Sequence, residues 1–529
     1  MGNRLGRMPA FLLACALGAS VRVAAAQVQE APPAPRFAIQ SFAIEGNTLL
    51  PQEEIDRLVT PFIGPNRDFG SVQQALEALQ DAYAKRGYSA VRVLVPEQDL
   101  VSGRVRLEVI EARVRKMTVE GNRFFTEANV IASVPALRPG EPPNTKSISQ
   151  NVQLANENPA KQTTVVLQGT DEPGKTDAIL RVADEDPKRV TLSLDNTGTP
   201  LTGMLRAGIG YQNANLTGRD DVLTAQAITS PTRINDVRIL GVGYRLPVYS
   251  WGGALDFVAG YSDVNSGTLQ NLFTVSGSGT ILGARYTHTL PNLDAYQQKL
   301  AVGIDFKAFN QNVALVGTTT SLVPDITVHP LTLTYFGRLS QAGNDISFSA
   351  AVSQNLAGGN DGDQAAFTLQ RPGASSDYRI YRFAAAWSRV LPNDFLFRLV
   401  GSVQYTSNAL VPGEQFGMGG QDSVRGFYER EAANDRGERF SAELYGPDVG
   451  ARFGDGWRLR PLAFYDSADG RDNAPERAAH NGLSSAGIGV RMTRGRSLSI
   501  RFDAAKTLNG SISRPNNDGR IHFSLAYSF

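Results

Sequence analysis

From about residue 188 onward the chain repeats apolar side chains at every second residue, yet beyond its first thirty positions it has no long unbroken apolar run. A helix crossing a bilayer needs about 20 consecutive apolar residues, so a helical membrane bundle is excluded. A strand carries no such requirement, because its side chains alternate between two faces and only one face has to meet lipid. The last nine residues show the pattern most plainly: Ile521, Phe523, Leu525, Tyr527 and Phe529 alternate with His522, Ser524, Ala526 and Ser528. Phe523, Leu525, Tyr527 and Phe529 therefore read as the apolar face of a closing barrel strand and as its assembly signal, with Phe529 in the aromatic girdle at the membrane edge. The last strand of a soluble sheet would share the alternation.

The same period recurs upstream. Leu205, Ala207, Ile209 and Tyr211 share one face, as do Leu240, Val242, Tyr244 and Leu246, or Tyr381, Phe383, Ala385 and Trp387. Leu498, Ile500, Phe502 and Ala504 lie opposite Ser499, Arg501 and Asp503, so the second face carries the charge. Turns rich in Gly, Asn, Asp and Pro separate these segments. About 340 residues at about 20 per strand and loop predict about sixteen antiparallel strands, an even number as in bacterial single-chain barrels. Closure removes sheet edges that lipid could not satisfy. The mean hydropathy of −0.21 fits, since alternation averages out to mild polarity. A soluble β-helix is the competing all-β reading.

The N-terminus reads as an address. Arg4 and Arg7 precede an apolar stretch from Phe11 to Ala19, and Ala24-Ala25-Ala26 offers a cleavage site, so residues 1–26 are expected to be a secretory signal peptide. Leu12-Leu13-Ala14-Cys15 loosely matches a lipoprotein signal, but the apolar stretch before it is short. Cys15 is the single cysteine, so cleavage after Ala26 leaves no thiol, which suits the periplasm and removes disulfide and thiolate chemistry. A net charge of +1 gives no reason to expect nucleic acid. Residues 27–36, with Pro32, Pro33 and Pro35, form a stiff spacer.

Between spacer and barrel the chain repeats itself. Phe42-Ala43-Ile44-Glu45-Gly46-Asn47 returns as Met117-Thr118-Val119-Glu120-Gly121-Asn122, each an alternating strand closed by a Gly-Asn turn. In the first copy a helix is expected from Pro51 to Val59 and a second from Ser71, capped by Ser71 with Gln74, with Val72, Ala75, Leu76, Leu79 and Tyr83 on one face. Strands through Val91, Val93 and Val95 and through Val105, Leu107 and Val109 follow. The order is β-α-α-β-β in residues 37–112 and again in 113–187, with helices near Thr126 and Ile148 and strands at Thr163 and Ala178. Such a module leaves a sheet edge open to another strand.

This order resembles POTRA domains, and the whole resembles the two-partner secretion transporters (TpsB family, haemolysin activation/secretion proteins of the ShlB/FhaC/HecB kind) of the POTRA-plus-barrel superfamily. The phrases that carry the resemblance are Gly46-Asn47, Gly87-Tyr88, Pro96 with Gln98, Gly121-Asn122 and Asn158-Pro159. They are read mainly as turn and packing residues. A stretch without strand pattern, residues 408–436, holds Val424-Arg425-Gly426-Phe427, which resembles the V-R-G-[FY] tip of the family's inward-folded loop. Phe464, Asp466 and Ala468 resemble its F-x-D-x-G barrel-wall motif, with Ala468 where glycine is usual.

The resemblance implies that Arg425 meets Asp466 inside the barrel. A guanidinium binds a carboxylate through two parallel hydrogen bonds, which fixes direction as well as position. Gly426 permits a close turn and Phe427 packs on the wall. Loss of Arg425 is expected to cost about 3 to 5 kcal/mol in a dry site and less in a wet one, and a water-filled lumen favours the lower end.

The family further implies an exporter in the outer membrane, with its modules in the periplasm. They would receive an unfolded TpsA-type partner, an adhesin, haemolysin or toxin, that folds outside and so supplies direction. No Gly-rich loop with lysine binds a nucleotide here, and no cofactor or metal is expected. The chain is expected to be a monomer that depends on the barrel assembly machinery, periplasmic chaperones and outer-membrane lipid. Too few residues precede Phe37 for the plug helix of many relatives, so the loop is the expected obstruction. An insertase would share fold and motifs but normally carries more modules; a passive porin would need neither. His288, His329, His480 and His522 are far apart and read as isolated residues, so no enzyme is expected.

Overall fold

The computed structural model describes residues 35–99, 102–200, 202–269, 273–310, 325–474 and 479–529. The expected signal peptide and most of the spacer, and with them the expectation about a plug, lie outside these residues.

The fold class is as expected: two modules built on β-α-α-β-β precede a closed barrel, and the first adds a two-stranded pair, Phe37–Ile39 with Gly64–Arg67. In the first module strand Arg104–Ile110 lies between Ser41–Glu45, parallel to it, and Arg92–Leu94, antiparallel to it. Helices Gln52–Val59 and Phe69–Lys85 cover one face, where Val72, Leu76, Leu79 and Tyr83 pack on Val93, Val105, Leu107 and Val109. In the second module Lys175–Asp184 lies between Arg113–Glu120 and Lys161–Gly169 in the same directions. Its helices are Glu127–Ala132 and Thr145–Ala155.

The repeat extends to single atoms. Gly46 and Gly121 have φ of +84° and +85°, and a Cβ on either would sit 2.3 or 2.4 Å from the carbonyl oxygen of Val109 or Val182. Only glycine tolerates both conditions. The side chains of Asn47 and Asn122 donate to Leu50 O and Phe125 O at 2.9 and 2.8 Å, closing each turn. Glu111 accepts the amides of Thr48 and Leu49, and Asp184 those of Arg123, Phe124 and Phe125, an acid clamp that ties each turn to the end of its last strand.

The cap of the long helix differs from expectation. Asp68, not Ser71, is the N-cap and accepts Ser71 N–H at 2.9 Å; the helix starts at Phe69, so Ser71 lies inside its first turn. Asp competes strongly for this position, and its carboxylate favours the positive end of the helix dipole. At the other end Gly87 (φ +93°) completes a Schellman motif, with Gly87 N–H on Ala84 O and Tyr88 N–H on Tyr83 O, both 2.9 Å. The exposed carbonyls there meet the second module: Asn144 Nδ2 donates to Arg86 O at 2.9 Å and Thr145 N–H to Gly87 O at 2.7 Å. Gln98 continues the sheet with its side chain, accepting Arg106 N–H at 2.6 Å and donating to Arg106 O at 2.8 Å. It also reaches Pro96 O at 3.2 Å.

The barrel has sixteen antiparallel strands, counting Ile326–Val328 and Pro330–Gln341, which both pair with Tyr296–Asn310, as one strand broken at His329. It closes where Gly519–Ser528 meets Lys188–Asp195, and Phe529 exchanges backbone hydrogen bonds with Val190. Ile209, Leu240, Phe257, Tyr381, Phe383, Ile521, Leu525, Tyr527 and Phe529 are exposed on the outside, whereas Phe523 is half-buried. The barrel is tied to the second module by a fully buried ion pair, Lys161 Nζ to Asp220 Oδ2 at 2.6 Å, with Tyr249 OH also donating to Asp220. Asn158 Nδ2 donates to Ala214 O at 2.6 Å, and Arg496 Nη1 to Pro159 O at 3.2 Å, so this pair of motif residues faces the turn between the barrel's second and third strands and the rim.

Candidate functional site: a loop seated inside the barrel

Strands Leu396–Tyr405 and Arg436–Tyr445 are neighbours in the wall, and the chain between them folds inward. It was expected to lack strands, but Phe416–Met418 and Ala432–Asn434 pair as a short hairpin that carries the tip. Val424 and Phe427 are fully buried with Met418, Ala468 and Leu483, so Ala468 contributes its methyl group to the seat at the place where glycine is usual. Gly426 has φ of +98°, and a Cβ there would find ordinary contact distances of 3.4 to 3.7 Å. Backbone conformation, not lack of space, demands glycine there.

A period of two brings Phe464, Asp466 and Ala468 to the inner face of strand Trp457–Arg471, all buried. Arg425 Nε and Nη2 donate to the two oxygens of Asp466 at 2.7 Å each, and Arg425 N–H adds a third bond at 3.1 Å. Ser441 Oγ, directly opposite Asp466 in the neighbouring strand, donates to it at 2.7 Å. The guanidinium lies 3.4 Å over the centroid of Phe464, so the first residue of the wall motif is a cation–π partner.

The pair is embedded in a larger set. Arg425 Nη1 lies 2.9 Å from Glu443, an ion pair without hydrogen-bond alignment, and 3.5 Å from Asp503. Glu443 also meets Arg398 at 3.1 Å, and Asp503 meets Arg491 and Arg501, each at 2.8 Å. Arg425 is 2% and Asp466 0% exposed, so loop and wall enclose the pair, where a water-filled surround was expected, while Asp422 of the same loop stays exposed. His522, expected to be isolated, accepts Gly426 N–H at 2.9 Å.

The root of the loop is held separately. Buried Glu414 meets Lys307 at 2.8 Å and Arg382 at 3.2 Å. Buried Asp435 meets Arg371 and accepts Leu410 N–H and Asn473 N–H at 3.0 and 2.7 Å. These residues carry no local motif. The signal in sequence is a charge on a strand's inner face for Lys307 and Arg382 and a charge inside the loop for Glu414 and Asp435, while Arg371, just after the helix Gln364–Gln370, has none.

Comparisons with known proteins agree with this geometry. A family model described as haemolysin secretion/activation protein ShlB/FhaC/HecB matches residues 174–492, and one for the ShlB-type POTRA domain matches residues 37–112. The outer membrane transporter CdiB of Dickeya dadantii (strain 3937) is 25% identical over 427 residues, 78% of this chain and 72% of its own. The heme/hemopexin transporter protein HuxB of Haemophilus influenzae (strain 86-028NP) is 21% identical over 484 residues, 87% of this chain and 81% of its own. The solved structure of CdiB from Escherichia coli covers 96% of this chain and 93% of its own, with a TM-score of 0.79 at 19% identity.

Proposed function

The chain belongs to the haemolysin secretion/activation family ShlB/FhaC/HecB, and on that premise we propose that its loop tip is the gate of a two-partner exporter. Its barrel stands in the outer membrane of a Gram-negative cell, its modules lie in the periplasm, and its cargo is a secreted partner protein. The observation that carries the gate is the bidentate, fully enclosed contact of Arg425 with Asp466 inside a closed barrel.

In this reading residues 37–112 and 113–187 are POTRA 1 and POTRA 2, residues 188–529 are the barrel, and residues 1–26 and 27–36 are signal peptide and spacer. An extended segment of cargo adds a strand to a module edge, such as Arg92–Leu94 or Lys161–Gly169, where backbone bonds supply affinity and alternate side chains selectivity. The cargo then displaces the loop and folds outside. The partner is of TpsA type, an adhesin, haemolysin or toxin. The transporter works as a monomer, inserted by the barrel assembly machinery after delivery by chaperones and held by outer-membrane lipid. Single-channel conductance of the purified protein tests the gate: Arg425→Ala is expected to raise the open fraction, and an unchanged channel would count against it.

A further inference from the structure

Beside Arg425 the loop tip has a second anchor. Gly426 is buried, and its N–H donates to Nε2 of His522, a residue of the closing strand that is 1% exposed. A ring nitrogen accepts only through a free lone pair, so this contact requires the neutral imidazole with its proton on Nδ1. Nδ1 has no hydrogen-bond partner among the described residues, which leaves the Gly426 amide as the ring's polar contact. The backbone around the ring is held in place, since Asn196 of the first strand side donates to Ile521 O at 2.7 Å and accepts Phe523 N–H at 2.9 Å. The charged groups that face the ring are Arg425 of the loop, Arg501 and Asp503 of strand Leu498–Asn509, and Arg520 of its own strand.

We propose that His522 is a positioning residue of the gate: its neutral ring holds the Gly426 amide so that Arg425 meets Asp466 in register. The proposal rests on the reading of this loop as a gate. An imidazolium offers two donors and no acceptor, so protonation turns Nε2 from a partner of Gly426 N–H into a second donor facing it. A cation there would stand buried beside Arg425, Arg501 and Arg520 against the single facing carboxylate of Asp503, so the ring is kept neutral and its lone pair stays available to Gly426. Without an acceptor the buried amide has to leave or find water.

The test is the open fraction of the full-length protein in planar bilayers at neutral pH. The wild type is expected to be closed for most of the time. His522→Gln, whose amide oxygen also accepts, is expected to stay as quiet as wild type. His522→Phe, of similar bulk and without an acceptor, is expected to open several-fold more often. A His522→Phe channel as quiet as wild type would overturn the proposal, as would a His522→Gln channel as open as His522→Phe. Heat-modifiable gel mobility reports folding, and His522→Leu takes the place of the Phe variant if that does not fold. Arg425→Ala in the same series separates the two ideas: if it opens while His522→Phe stays closed, the gate stands and the role of His522 falls. If Arg425→Ala also stays closed, both fall.

Discussion

Arg425 sets one guanidinium against three carboxylates, and what it contributes depends on the water around it. With both partners of the Arg425–Asp466 pair buried, truncation leaves a carboxylate supported by Ser441 and its neighbours alone. Arg425→Ala is therefore expected to weaken the seat by about 3 to 5 kcal/mol, read as faster cleavage of residues 406–435 by external protease. Arg425→Lys should recover little of this, because an ammonium cannot make the paired Nε and Nη2 contacts or stack on Phe464 as a planar group. The motifs made this pair legible in the sequence. Asp503 was visible as a charge on the inner face of its strand, but its distance from Arg425 was not. Glu443 and Ser441 gave no signal, since their meaning comes from the register that sets Ser441 opposite Asp466. His522 carries no signal in the sequence, since its partner is a backbone amide, which belongs to no triad or metal-ligand spacing.

Single elements carry their own tests. The long helix of the first module begins at Asp68, whose carboxyl is held below the ordinary value of 3.8 chiefly by the Ser71 amide and then by the Ser71 hydroxyl. A carboxyl with a depressed pKa in the fold contributes stability that is complete above its unfolded value and is lost as pH falls through the folded one. Acid should therefore loosen this helix start below about pH 4, and Asp68→Asn, which still caps, should remove that part of the pH dependence in hydrogen exchange of residues 69–72. Helix positions and core faces were legible here from period alone. The cap was not, because Asp68 and Ser71 both fit an N-cap and only the backbone tells which one turns.

The joint between second module and barrel makes a stronger claim. Desolvation pulls the Lys161 ammonium below its usual range, against the attraction of Asp220. Removing one partner, Lys161→Met, is expected to destabilise the joint by about 3 to 5 kcal/mol, while Lys161→Met with Asp220→Asn should be close to neutral. Asn suits this site because residue 220 has φ of +62°, a conformation Asn tolerates. Thermal unfolding of both variants checks this.

For the whole molecule, the alternation of apolar residues foretold a closed barrel and its strand number, because lipid outside imposes one rule on every strand. Sequence alone did not reveal how modules, wall and loop are fastened to one another. Those contacts, Arg86 with Asn144, Lys161 with Asp220 and Asp435 with Arg371, join residues far apart in the chain that have no periodicity in common. On the gate reading the loop is the element whose departure opens a path between these fixed parts, and it can be tethered. A Cβ at Gly426 would lie 3.7 Å from that of Ser485, within the roughly 3.5 to 4.5 Å that a disulfide spans. The sole natural cysteine is Cys15, so Gly426→Cys with Ser485→Cys adds a thiol pair at the seat; the strain of a side chain at φ +98° is present in the reduced form too, which is therefore its control. The decisive measurement is the amount of secreted partner in the medium of cells carrying this double variant, oxidised and then reduced, with crosslinking verified by mass. Export stopped by oxidation and restored by reduction is the predicted result; undiminished export through a crosslinked barrel would contradict a loop that must leave its seat.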